Sequence, residues 1–285
     1  MKKLLFTFFI HLCMCIQVYA QVPLHDDNFL KQVKTIDEFI NRFNNSKTMF
    51  DGYKKMAATD ASIINFRERL FGKDNISKNE MLLTVFNLDN IEKIGKDKIL
   101  KFAQQVNDDT KPTSLSFYDN EWYAELSCEV LYKNQAKKVI LIMQSVVSAT
   151  DKKASSWHLV GCYADFLQVE PKNRQKLRGL KPNENDLSFI ELITSAADKE
   201  NIATVTKKDF QADLLSILLY AIKNGDIVLQ LVTNTKYHFL QVLDWVFVVE
   251  HYQRNTTNSG WLISDLHIKT GIEKKNYKSQ VLYLK

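Results

Sequence analysis

The chain has 285 residues, of which 45% are hydrophobic and 25% charged, with a formal net charge of +5. That balance describes a folded protein with a sizeable core and excludes a disordered chain; the length suits one or two domains. The charge excess is too small to imply a nucleic-acid partner.

Lys2 and Lys3 precede an apolar run from Leu4 to Ile16, broken only by Thr7 and His11, and Val18-Tyr19-Ala20 follows as a small-residue ending. This is the pattern of a cleavable secretory signal over 1–20, and the run falls short of the ~20 apolar residues a membrane span needs. Leu12 before Cys13 and Met14 before Cys15 argue against a lipid anchor. The mature chain is then expected to begin at Gln21 and to be exported. Losing Lys2 and Lys3 takes the net charge from +5 to +3. Cys128 and Cys162 remain, in a compartment that allows one disulfide. No later segment reads as transmembrane; the longest apolar stretch, Leu214 to Ile222, contains Ser216 and is too short.

After an N-terminal extension over 21–33, Thr35 and Glu38 form a capping-box pattern before Ile36, Phe39, Ile40 and Phe43, which recur at helical spacing. Further helices are predicted at 61–71, 77–87 and 91–106, with Gly72 and Gly95 near their ends. The period then becomes two: Trp122, Ala124, Leu126, Cys128, Val130 and Tyr132 share one face of a long half-buried strand. Val139–Gln144 and Trp157–Asp165 read as two more strands. Phe39, Phe43, Trp122 and Phe247 fall at core periods.

From 171 to 184 the chain is basic, with Lys172, Arg174, Lys176, Arg178 and Lys181 between Pro171 and Pro182, and reads as a linker. Asp186 is placed to cap a helix. Thr206 and Asp209 open a second, box-like, before Phe210, Leu214, Ile217, Leu218, Ala221 and Ile222, with Gly225 as its stop. Strands follow at about 226–242, 244–252 and 260–268.

Both halves thus run from helices to a β-rich segment whose last strand opens on a tryptophan: Ser155-Ser156-Trp157 answers Ser259-Gly260-Trp261. The expected organisation is α+β, with two successive helix-then-antiparallel-sheet rolls over 34–170 and 185–285, related by divergent duplication. That order of elements resembles the NTF2-like and cystatin-like rolls, a likeness that brings no functional residue with it. The blocks Glu38 to Asn44 and Leu82 to Asn87 are similar to secreted proteins of Bacteroidota bacteria whose role is unassigned, a resemblance that implies a Gram-negative source and a place in the periplasm, outside the cell or on its surface.

Catalytic and cofactor motifs are absent. The eight glycines form neither a G-x-G-x-x-G turn nor a P-loop, no G-x-S-x-G elbow occurs, and His251 does not open an H-E-x-x-H. Cys128 and Cys162 lack zinc-pair spacing and read as buried thiols or as one bridge. His158 and Cys162 share a strand face but stand ~13 Å apart, too far to form a catalytic pair.

One polar cluster can be placed. Setting Trp245, Phe247 and Val249 against Leu262, Leu266 and Ile268 as the apolar side puts Val248 opposite Asp265, with Glu250 on the diagonal and His267 two residues along. Glu250, Asp265 and His267, rimmed by Tyr252 and Trp261, form the candidate ligand site, in which the carboxylates are expected to raise the imidazole pKa. An ordinary solvated strand face is the competing reading. The functional expectation is an exported envelope binding or adaptor module, without cofactor, metal or nucleic acid, for a small ligand or an envelope protein. Its alternatives are a small pocket enzyme or a structural part of a surface assembly.

Overall fold

The structure is a computed structural model and describes residues 36–44, 82, 84–108, 110–169, 192, 193, 197, 202–207, 209–254 and 258–284. The signal segment, the helix placed at 61–71, most of those placed at 77–87 and from Asp186, and the basic segment 171–184 lie outside the described residues. No described helix is long and apolar enough to cross a membrane.

Helix α1 (Ile36–Phe43) matches its predicted face, with Ile36, Phe39, Ile40 and Phe43 buried. The segment predicted as one helix over 91–106 is two, α2 (Ile91–Ile94) and α3 (Lys96–Val106). They part at Gly95, whose φ of 93° lies in the left-handed region that favours glycine. Strands β1 (Trp122–Tyr132), β2 (Gln135–Val147) and β3 (Ser155–Tyr163) form an antiparallel meander. Helix α4 (Leu214–Lys223) starts later than Thr206 and Asp209 suggest and ends as expected at Gly225, where φ is 77°. Strands β4 (Ile227–Phe239), β5 (Trp245–Tyr252) and β6 (Gly260–Ile268) follow, then α5 (Gly271–Gln280), which the sequence reading omits.

The α+β class holds, but the strands build one six-stranded sheet in the order β3-β2-β1-β4-β5-β6, with every pairing antiparallel. Two separate sheets were expected. Each meander would have left its first strand with a bare row of N–H and C=O groups, and joining β1 to β4 satisfies both rows at once.

One face of the sheet carries the main core. There α1 and α3 lay Phe39, Phe43 and Phe102 on Trp122, Phe239, Trp245 and Phe247. Phe43 stacks on Phe247 at 5.7 Å between ring centroids, and Phe102 meets Trp245 edge-on at 5.2 Å. Each such ring contributes ~1.5–3 kcal/mol by burial. At the far end of the same face, α4 packs Leu218 and Ala221 against Cys128, Val130, Val139 and Cys162. Within the main core lies Arg42, wholly buried, paired with Glu38 at 2.9 Å and donating to the carbonyls of Thr84 and Trp261.

The opposite face is held by the C-terminus. Thr270 and Glu273 form a capping box at the start of α5. Lys274 donates to the carbonyls of Leu240 and Val242, and Lys278 pairs with Glu121 at 2.8 Å. The tail then lies on β3 at Gly161, where a Cβ would stand 2.8 Å from the carbonyl oxygen of Leu282. This crossing leaves part of the face beside α5 open.

Candidate functional site

The open part is a cleft of about 410 Å³. Its floor comes from strand alternation: on β1 and β4 the residues that face away from Trp122, Ala124, Tyr237 and Phe239 include Glu125, Lys236 and His238. Glu125 lies opposite Lys236, and His238 opposite Tyr123, in the β1–β4 register. One wall is β5 and β6, with Val248, Glu250, Ser264, Asp265 and His267; Tyr277 and Val281 close the other side, and Asn90 and Lys93 stand at the rim.

His238 is 3% exposed and held from two sides. Its Nδ1 is 2.7 Å from Tyr277 Oη and its Nε2 is 3.2 Å from Glu125 Oε2. With a neutral imidazole, Nε2–H donates to the carboxylate and Nδ1 accepts from the phenol. Burial raises the Glu125 pKa, but the hydrogen bond from His238 and the electrostatic attraction of His238 and Lys236 outweigh it, so the group sits below the ordinary carboxylate value. Burial, helped by Glu125 and Asp265, pushes the Tyr277 phenol far above its usual range. Tyr277 therefore stays a hydrogen-bond donor at any physiological pH.

Higher on the wall, Glu250 accepts from Ser264 Oγ at 2.8 Å and lies 3.7 Å from Lys236. Asp265 is 3.6 Å from Lys93 and 3.5 Å from His267. Three lysines, Lys93, Lys236 and Lys269, thus face three carboxylates, Glu125, Glu250 and Asp265, and the cleft is close to neutral in sum.

Of the five residues proposed from sequence, the structure brings Glu250, Asp265 and His267 together on this cleft, with Val248 opposite Asp265 as the register argument requires. Trp261 is elsewhere. A bulge follows Val248–Asp265, so that Val249 pairs with Ile263 and Ser264 is the extra residue. The bulge inverts the alternation: Trp261 and Ile263 turn into the main core, where Trp261 meets Tyr237 at 4.8 Å. Tyr252 carries the Arg254 guanidinium over its ring at 4.7 Å and is not among the residues lining the cleft.

The expected rise in the His267 pKa is also corrected. Burial dominates and lowers it; Asp265 opposes this, while Lys98, Lys269 and Lys93 add to it. Glu125, Lys236, His238 and Tyr277 were missed because β1, β4 and α5 are remote in sequence. The Thr270–Glu273 box was the available signal for α5.

Among the described residues no group of three or more His, Cys, Asp or Glu is arranged to hold a metal ion. Cys128 and Cys162 are free, buried thiols, each pushed up to about 11 by burial. They are on β1 and β3 with β2 between them, opposite Val139 and Leu141. Two strand spacings, ~10 Å, exceed the ~7 Å Cα separation a bridge tolerates. No family model, curated protein or solved structure matches the chain.

Proposed function

We propose that this protein is an exported binding module of the cell envelope that holds a small polar ligand in the cleft beside α5. The observation that carries this reading is the chain Glu125–His238–Tyr277. Burying an imidazole, a phenol and a carboxylate costs free energy that apolar side chains would not, and here all three end in a cavity of ligand size. Fixed donors and acceptors beside matched lysines and carboxylates suit a neutral polyhydroxyl or zwitterionic compound better than a highly charged anion. Export rests on Lys2, Lys3, the apolar run and Ala20, and is tested by N-terminal sequencing of envelope protein, expected to begin at Gln21 without lipid.

For the ligand, a panel of sugars, amino acids and short peptides is screened by saturation-transfer NMR against the wild type and Glu250→Lys. Binding by a panel compound that shifts the His238 and His267 signals and is lost in the variant supports the reading. Compounds that bind both proteins equally, with the His238 and His267 signals unmoved, or a panel without binders, count against it.

The carboxylate–imidazole–phenol chain also favours a second reading, a small pocket enzyme using Tyr277 in proton transfer. Turnover of any panel compound, abolished by Tyr277→Phe while binding persists, would replace the first reading with this one.

A divergent duplication, in the manner of tandem NTF2-like or cystatin-like rolls, is supported by the two meanders. Each ends in a Trp-led strand, and Trp157 and Trp261 both pack on Tyr237, at 6.1 and 4.8 Å. Trypsin cutting first within 172–181, with the two fragments staying associated through β1–β4, is the expected outcome.

A further inference from the structure

Among the described residues the sheet has unpaired edges on β6, β3 and β4, and the first two are managed. The outer edge of β6 is covered by the segment around Phe86, where Asn87 N–H donates to the Ile263 carbonyl and Ile263 N–H to that of Val85. The outer strand β3 shows polar Ser156 and His158 to solvent, hydrogen-bonded to each other at 2.8 Å.

The third is different. β5 pairs with β4 only from Lys236 to Phe239, so on that side Ile227–Thr235 pairs with no strand among the described residues. This stretch, Ile-Val-Leu-Gln-Leu-Val-Thr-Asn-Thr, contains no charge and no proline, the usual devices that keep an open edge solitary. Its side chains are apolar and exposed: Val228 49%, Leu229 44% and Leu231 44%, beside Leu131 of β1 at 36%.

We infer that this edge is the interface of a homodimer, formed by antiparallel pairing of β4 with β4 of a second copy about a two-fold axis at Leu231. The axis at the centre of the open stretch uses its full length, with Leu231 opposite itself and Val228 opposite Asn234. Charge selects a second copy as occupant. Exposed Asp226 lies as far before Leu231 as Lys236, with Glu250 beside it, lies after. The two-fold therefore brings Asp226 of each copy to Lys236 of the other, one such pair at each end of the edge, with no charge on the strand between them. The pairing is isologous, so it closes at two copies and leaves neither open stretch for further growth. The two bulges of β4 between Ser127 and Val130 on its partner strand bend this edge, and a symmetry mate has the same bend.

The test is sedimentation equilibrium of the full protein at micromolar concentration, with Leu231→Lys and Leu231→Cys. Wild type should have twice the chain mass. Leu231→Lys sets two ammonium groups opposite each other and should give a monomer, at least tenfold weaker in association, with an unchanged circular dichroism spectrum. Leu231→Cys should cross-link to itself on mild oxidation, because directly opposed Cβ atoms in an antiparallel pair lie ~4.5–5.5 Å apart; Cys128 and Cys162 are buried. A monomeric wild type overturns the inference. So does a dimer that Leu231→Lys leaves intact and Leu231→Cys fails to cross-link, which would place the contact elsewhere.

Discussion

His238 and Tyr277, on β4 and α5, are joined by a 2.7 Å hydrogen bond that is the one buried polar link between the sheet and the C-terminal helix among the described residues. Tyr277→Phe removes the hydroxyl and leaves Nδ1 without its donor, at a cost of ~1–3 kcal/mol. The expected result is a lower urea midpoint, with the largest loss of amide protection in 271–284, read by hydrogen exchange. Equal loss across the whole sheet would contradict this account of how α5 is attached.

Stability should fall as the pH drops below about 6.5. Burial lowers the pKa of both His251 and His267 from that value. The unfolded chain therefore binds protons more readily than the folded one, and their contribution is complete above the ordinary imidazole pKa and lost as pH falls through the depressed folded values. Urea unfolding at pH 7.5 and 5.5 measures the difference, and His267→Gln should shrink it. A protein more stable at pH 5.5 would refute the sign.

Gly161→Ala should loosen the C-terminus. The new Cβ meets the Leu282 carbonyl at 2.8 Å and Tyr283 and Leu284 at 3.3 Å, and backbone cannot step aside as a flexible side chain can. The expected destabilisation is ~1–3 kcal/mol, with faster carboxypeptidase trimming. An unchanged trimming rate would show that the tail is not held there.

Arg42→Met should be among the most damaging single changes. It removes the cation that pairs with the 28%-exposed Glu38 and a donor to the carbonyls of Thr84 and Trp261. Loss of a donor to a buried acceptor costs ~1–3 kcal/mol. Chemical denaturation measures it, and a loss below ~1 kcal/mol would mean the core repairs itself.

Cys128 and Cys162 should be silent to a thiol reagent in the native protein and react fully once it is unfolded. Burial and a pKa near 11 both suppress the thiolate. Reductant should leave the thermal midpoint unchanged; a drop would reveal a bridge.

Local periodicity carried most of the strands. Trp122 to Tyr132 was bounded to the residue, and apolar matching of Phe247 with Leu266 fixed the β5–β6 register as far as Asp265. The reading failed at Ser264, because a single extra residue leaves no mark in a hydrophobic pattern yet reverses every side chain between it and the start of the strand. Trp261 crossed from the proposed site into the core for that reason alone. The floor of the cleft was illegible for a different reason: Glu125 and His238 touch across 113 residues of chain, and nothing local in either strand names the other.

The β1–β4 seam also sets an order of events for a newly made chain. Contacts across it join positions 95 to 117 apart, from Tyr132 with Ile227 to Trp122 with Phe239. Closing so long a loop is slow, and it cannot begin before β4 has left the ribosome. Until then the first meander lacks the strand that completes its inner edge, and the row of N–H and C=O groups on that side of β1 waits for a partner made later.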